Sequence, residues 1–324
     1  MRISTARHPQ HRPAGRVCDR RRFLEAAVAI PAALAAAQPL HAEAPVSQAK
    51  PAEATPMPQI RLGKHPVSRL ILGVHDFVGA HMPFHGKDAE AYYTPERILQ
   101  TLRHCEDLGI NAWQAPENGP LLDTYIQYRR AGGKMFGLAL THGSGKDEDL
   151  RSLAKTEGII GIAHHGEVTD RLFKEGKFDL IRDRLSRIRD TGLLVGISTH
   201  MPAVVDAVES KGWDLDYYMT CVYERNRSEA DLVKLIGRDA LPVGEPFLKS
   251  DPPRMFRAIQ QTKRPCLAFK ILAAGRRRDV AQAFRETFAA IKATDAVIVG
   301  IYDRYTDQAA ENAALTRRYG AAPR

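Results

Sequence analysis

From residue 60 onward, two kinds of hydrophobic pattern alternate along the chain. In the first, short β-branched or apolar runs, most of them nearly continuous in apolar residues, fall at 69–74, 111–114, 135–141, 159–163, 193–198, 215–222, 265–271 and 296–301. Runs of this length without polar alternation are expected of parallel strands that helices cover on the outside. In the second, apolar residues recur every three or four positions, as on a helix that buries one face. "TPERILQTLRHCEDLGI" sets Ile98, Leu102, Cys105 and Leu108 on one face and opens with Thr94 before Pro95, an N-cap followed by proline at the first helical position. "FDLIRDRLSRIRDTG" closes on Gly192, a C-cap signal. "DPPRMFRAIQQTKR", "DVAQAFRETFAAIKA" and "DQAAENAALTRRYG" repeat the helical spacing. Eight strand–helix units predict an α/β fold, a single (β/α)8 TIM barrel over residues 60–318, with 319–324 as a C-terminal tail. The rival is an open doubly wound sheet, which is disfavoured because no Gly-rich fingerprint follows the first strand.

The residues ahead of the barrel read differently. "CDRRRFLEAAVAIPAALAAA" joins three arginines to Phe23-Leu24 and a weak, alanine-rich apolar run. Arg20-Arg21-Arg22-Phe23-Leu24 matches the twin-arginine export pattern, and Ala42-Glu43-Ala44 supplies a small-x-small cleavage site. The apolar run is short for a spanning helix, which needs about 20 apolar residues. Residues 1–44 are therefore expected to be a twin-arginine signal peptide, an address that a receptor reads and not an anchor. Residues 45–59, rich in Pro and Ala, read as a flexible spacer. The expected partners are the twin-arginine export machinery and a small-molecule substrate. The expected location is periplasmic or secreted, without a stable membrane anchor. Proteins that take this route fold before export, many with a cofactor in place.

Charge and cysteine usage narrow the class. The leader holds seven arginines against three acids, which accounts for four of the formal +9. No basic run of the remainder is interleaved with aromatic residues, so no nucleic-acid partner is expected, and Arg276-Arg277-Arg278 reads as a solvated helix start. Cys105, Cys221 and Cys266, an odd number at wide spacing, read as buried free thiols and not as a disulfide framework.

Active sites of such barrels are built at the C-terminal ends of the strands. The first predicted strand runs into His75-Asp76, the second into Gln114 with Glu117 beyond, and the third into Thr141-His142. The fourth reaches His164-His165 with Glu167 after it, and the fifth reaches Ser198-Thr199-His200. The sixth ends near Tyr223-Glu224, the seventh near Lys270 and the eighth near Asp303. Five of the nine histidines beyond the leader fall at these ends, which marks this rim as a functional mouth.

Several segments, in this order, resemble the aldo/keto reductase family. They are "IRLGKHPVSRLILGVHDF" at the start, "GLLVGISTHMPAVVDAVES" at the fifth strand, "DYYMTCVYER" at the sixth and "VIVGIYDRYTDQAAEN" at the last. The resemblance implies an NADP-linked oxidoreductase acting on a small carbonyl or sugar. It implies a cofactor set of Ser198, Thr199, Lys270, Arg304, Gln308, Glu311 and Asn312. The family's catalytic tetrad of aspartate, tyrosine, lysine and histidine is degenerate here. Gln114 stands at the aspartate position, no tyrosine follows at the family's spacing, and Leu140, Thr141 or His142 stands at the lysine position. Only the histidine is matched, by His164 or His165. A missing positioned acid removes a contribution of about 10²–10⁴-fold, so another donor must replace the tyrosine. The candidate catalytic residues are His164, His165, Lys270, His75 and Asp76. Neighbours on a strand face opposite sides, so only one of His164 and His165 can point into the mouth.

Two other readings use the same rim. His142, His165 and His200, with Glu167 or Glu224, could hold a divalent transition metal, as in a metal-dependent lyase, isomerase or hydrolase. A non-catalytic periplasmic ligand-binding barrel would also have lost its tetrad.

Overall fold

The computed structural model describes residues 55–78, 86–141, 147–242 and 244–321. The leader, most of the spacer, His81, His85 and His142 lie outside the described residues. The chain opens with an antiparallel hairpin of β1 (Gln59–Leu62) and β2 (His65–Ser68). Eight parallel strands then close a barrel. They are β3 (Leu70–Leu72), β4 (Ala112–Pro116), β5 (Phe136–Thr141), β6 (Ile159–His164), β7 (Leu194–Thr199), β8 (Tyr217–Cys221), β9 (Cys266–Phe269) and β10 (Ala296–Val299), with β10 pairing back onto β3. The fold is the (β/α)8 TIM barrel that the alternation predicts.

Helices follow the strands on the outside. They are α1 (Gly86–Tyr92), α2 (Pro95–Asp107), α3 (Pro120–Arg130), α4 (Asp147–Lys155), α5 (Gly166–Lys174), α6 (Phe178–Arg189), α7 (Pro202–Lys211), α8 (Glu229–Ile236), α9 (Asp251–Gln261), α10 (Val280–Ala290) and α11 (Gln308–Tyr319). The Thr94 hydroxyl caps α2 by accepting from the Arg97 N–H, and Ile98, Leu102 and Cys105 are buried on its inner face. Cys105, Cys221 and Cys266 are buried free thiols. No helix among the described residues is long and apolar enough to cross a membrane.

Side chains fill the barrel from within. Leu138, Ala163, Met219, Leu267 and Ile298 pack with Tyr217 in one cluster, and the hairpin residues Ile60, Leu62 and Val67 belong to the same cluster. Beyond this core the C-terminal mouth opens as a basin. Closure is secured by Arg69, 4% exposed, whose guanidinium donates to the carbonyls of Asp295, Lys292 and Gly320 at 2.6–2.8 Å. One side chain thus ties the start of β3 to the residues before β10 and after α11.

Several strand ends fall earlier than the apolar runs suggest. His75 and Asp76 open a short 3-10 turn, His75–Val78, beyond β3. β8 stops at Cys221, so Tyr223 and Glu224 belong to the loop that follows. Asp303 lies four residues past β10, where it accepts from the Tyr93 and Thr101 hydroxyls at 2.8 and 3.1 Å and fastens that loop to α2. Hydrophobicity continues past each strand because the loops pack over the helical layer. The apolar pattern therefore marks burial and not the last ladder bond.

Candidate active site

A cleft of about 490 Å³ opens at the C-terminal ends of β3, β9 and β10. It brings together His75, Asp76, Gln114 and Lys270 at one part of its wall, and Gln308, Glu311 and Asn312 of α11 at another. Arg277 and Arg278 also line it. The run is solvated, with Arg276 and Arg278 exposed just ahead of α10, and two of its members also border the cleft. Arg277 is held by Asp279 and Glu286, and the Arg276 guanidinium lies 4.6 Å from the centre of the Phe247 ring.

Lys270 is the first residue past β9, and its backbone adopts φ 60°. Ala273 and Ala274 adopt φ 51° and 52°. These are the non-glycine residues with positive φ among the described residues, and all three lie in the one loop that carries the lysine. Left-handed backbone without glycine is strained, and such strain concentrates where a side chain must be aimed. The Lys270 Nζ is buried and no described residue accepts a hydrogen bond from it. Burial, reinforced by the Arg225 and Arg276 charges, pulls its pKa down to about 8, against the opposing pull of Cys221 and Glu167.

Asp76 faces the same cleft. Burial pushes its carboxyl up to about 7, and Lys270 works against that rise. Its place depends on Gly300, the first residue after β10, because a Cβ there would overlap the Asp76 carboxylate. Glycine at 300 thus makes room for the Asp76 carboxyl, and Gly73 allows the close backbone approach to Gly300 at the rim, where a Cβ would come within 2.9 Å of the Gly300 N. An acid held above its usual range and an ammonium held below its own, in one cleft, have converging proton affinities. That arrangement suits proton delivery near neutral pH.

The fourth to sixth strand ends form a second cluster. Asp170 of α5 is fully buried and accepts from Thr199 Oγ1 at 2.5 Å, from the His200 N–H at 3.1 Å, from His200 Nδ1 at 2.8 Å and from Asn226 Nδ2 at 2.7 Å. With Nδ1 donating to the carboxylate, His200 Nε2 is left to accept from Arg225, whose Nη1 is 3.4 Å away. Arg225 also pairs with Glu245 and lies 3.8 Å from Glu167. Gly166 lies against this group, since a Cβ there would come within 2.9 Å of Ser198 Oγ and 3.1 Å of His200 Cε1.

The candidates from the sequence thus separate. His75, Asp76, Lys270, Gln308, Glu311 and Asn312 share the cleft. Ser198 and Thr199 belong to the Asp170 cluster, Thr199 by its hydrogen bond and Ser198 by its place beside Gly166. Arg304 is ion-paired with Asp88 of α1 and lies over the Tyr92 and Tyr305 rings, away from the cleft lining. His164 is 1% exposed and its Nδ1 is 2.7 Å from Thr169 Oγ1 of α5. Burial and the Arg184 charge lower its pKa to about 4, so it is a neutral ring packed towards the helical layer. His165 follows as the half-buried N-cap residue of α5 and is not among the residues lining the cleft. Glu224 is engaged by Arg227 and Arg254, and no group of three His, Cys, Asp or Glu among the described residues could hold a metal ion. His142 lies outside the described residues.

Asp170, Arg225, Gly300 and the positive-φ loop escaped the sequence reading. Asp170 sits mid-helix, Arg225 lies past an expected strand end, and Ala273-Ala274 carries no glycine to advertise a left-handed turn.

The fold and mouth define the chain as a (β/α)8 barrel with an acid–base cleft at its C-terminal face. No protein-family model and no curated protein matches it. A truncated 3-deoxy-D-arabino-heptulosonate 7-phosphate synthase from Thermotoga maritima is similar at TM-score 0.46 and 14% identity, over 82% of this chain and 90% of that one. A glycerol dehydrogenase from Gluconobacter oxydans is similar at TM-score 0.43 and 12% identity, over 84% of this chain and 98% of that one. A xylose isomerase-like TIM barrel protein from Mycobacterium smegmatis, in complex with magnesium, is similar at TM-score 0.40 and 12% identity, over 70% and 89%. These likenesses concern the barrel fold alone.

Proposed function

We propose that the chain is an enzyme, an NADP-linked oxidoreductase acting on a small carbonyl compound, in which Asp76 and Lys270 take the place of the missing tyrosine. The observation that carries this reading is the cleft that joins those two groups to Gln308, Glu311, Asn312, Arg277 and Arg278. The residues fit a dinucleotide in kind. Lys270 Nζ is a buried donor without an acceptor among the described residues, the α11 amides can bind polar ring edges, and the arginines suit phosphate. When bound, a nicotinamide would be the source of hydride. Lys270 would hold the proton for the carbonyl oxygen, and Asp76, close to its own titration point, would restore that proton from solvent. The Asp170 cluster holds His200 beside Phe269 of the cleft wall, with Arg225 near enough for its charge to act on Lys270.

Titration of the purified protein with NADPH, followed by the fluorescence of the reduced ring, tests the reading. Saturable binding that weakens about tenfold or more in a Gln308→Ala, Asn312→Ala double variant is expected, roughly the loss of one or two hydrogen bonds. Absence of binding at millimolar nucleotide would remove the dinucleotide from the account. The twin-arginine route and periplasmic location belong to the same proposal. Replacing Arg20 and Arg21 together with lysine is expected to leave the protein in the cytoplasm, and unchanged periplasmic amounts on fractionation would refute that part.

A further inference from the structure

We propose that Lys270 is a nucleophile as well as a proton donor, and that its ε-amine forms an imine with the carbonyl carbon of a small aldehyde or ketone held in the cleft. The inference uses the same mouth as the reading above but requires no nucleotide.

Three features of the site carry it. The first is isolation. Lys270 Nζ is buried, yet no described residue accepts a hydrogen bond from it, so no carboxylate ties it up as an ammonium. The second is its cationic company. Lys270 and Arg276 approach the same Phe247 ring, at 5.9 and 4.6 Å from its centre. Arg225, only 6% exposed, comes from the neighbouring loop, and its charge and that of Arg276 both disfavour a proton on Lys270. A lysine beside other cations in a desolvated pocket is an activated nucleophile. Cys221 and Glu167 act in the opposite sense, but burial is the largest influence. The third is Asp76, a carboxyl in the same cleft that stays protonated up to about pH 7.

The chemistry balances within the site. The Nζ lone pair adds to the carbonyl carbon, and the carbonyl π pair moves to oxygen, which takes a proton from Asp76. The carboxylate regains a proton from the nitrogen and delivers it to the carbinolamine hydroxyl. Water leaves as the nitrogen pair forms the C=N bond. The iminium N–H proton then returns to the Asp76 carboxylate, which regenerates the acid; in the net count two hydrogens of the amine leave with the carbonyl oxygen as water, and no oxidant or reductant is consumed.

Reductive trapping tests this directly. The full chain is incubated at pH 7 with pyruvate or with dihydroxyacetone and cyanoborohydride, without nucleotide, and the adducts are mapped by peptide mass spectrometry. Exposed Lys249 and Lys263 serve as internal references. An amine titrating near 8 has roughly a hundredfold more free base at pH 7 than one near 10.4. Lys270 is therefore expected to acquire the reduced adduct at least about tenfold faster than either reference with one of the two probes. Asp76→Asn is expected to slow that capture at least about fivefold by removing the proton relay, while labelling of Lys249 is unchanged. Equal rates at Lys270 and Lys249 with both probes would overturn the proposal. That result combined with intact NADPH binding would leave the oxidoreductase reading standing.

Discussion

Lys270→Met is expected to lower kcat/KM for carbonyl reduction by about 10²–10⁴-fold, the usual worth of a positioned general acid. The same change should leave the thermal midpoint unchanged or raise it. Methionine keeps the length of the side chain, while a buried ammonium without a hydrogen-bond acceptor among the described residues disappears. A large fall in activity with retained stability distinguishes a catalytic lysine from one that holds the loop. The pH dependence adds a sign. A proton donor must carry its proton, so reduction should fall as pH rises through about 8. Imine capture needs the free amine together with the Asp76 proton, so it should rise from pH 6, peak between about 7 and 8 and fall above. Below about pH 7.5 trapping rates should therefore rise while steady-state reduction stays level, if Lys270 serves both uses. A Lys270→Met enzyme within threefold of the parent, or a reduction rate that rises through pH 8, would sink the assignment of Lys270 as donor.

The fold was legible because its signal is periodic. Buried parallel strands read as apolar runs, and eight of them alternate with amphipathic stretches. The mouth was legible in part for a topological reason, since a strand end in a barrel always points to one rim. Lys270, His75 and Asp76 could be placed there from strand position alone. Gln308, Glu311 and Asn312 could be placed by the last helix. Three kinds of information were not local. Asp170 earns its role from three partners at positions 199, 200 and 226, which no spacing rule connects. The seating of His164 depends on its contact with Thr169 of α5, one turn into the helix that His165 caps, which periodicity cannot see. The fit of Asp76 depends on an absent Cβ at Gly300, 224 positions away in sequence but adjacent across the closing strand pair.

The Asp170 cluster gives the largest expected effect on stability. Asp170→Ala removes one buried carboxylate and leaves four donors without their acceptor: the Thr199 hydroxyl, the His200 N–H, the His200 ring and the Asn226 amide. All four are at the fully or partly buried mouth, where an unsatisfied donor costs about 1–3 kcal/mol and breaking a buried charged network about 3–5 kcal/mol. The expected loss is therefore about 3–5 kcal/mol in ΔG of unfolding, read from urea midpoints at fixed m-value. Asp170→Asn keeps the volume and one acceptor oxygen, so it should recover part of that loss. The two variants also separate architecture from chemistry. The carboxylate orients His200 and, through its Nε2, meets Arg225, which in turn depresses Lys270. Loosening this chain should shift the pH dependence of imine capture upward, because Arg225 would no longer be held close to the amine. A urea midpoint for Asp170→Ala within about 0.5 kcal/mol of the parent, the scatter expected of a surface change, would mean that the cluster is not what holds the mouth together.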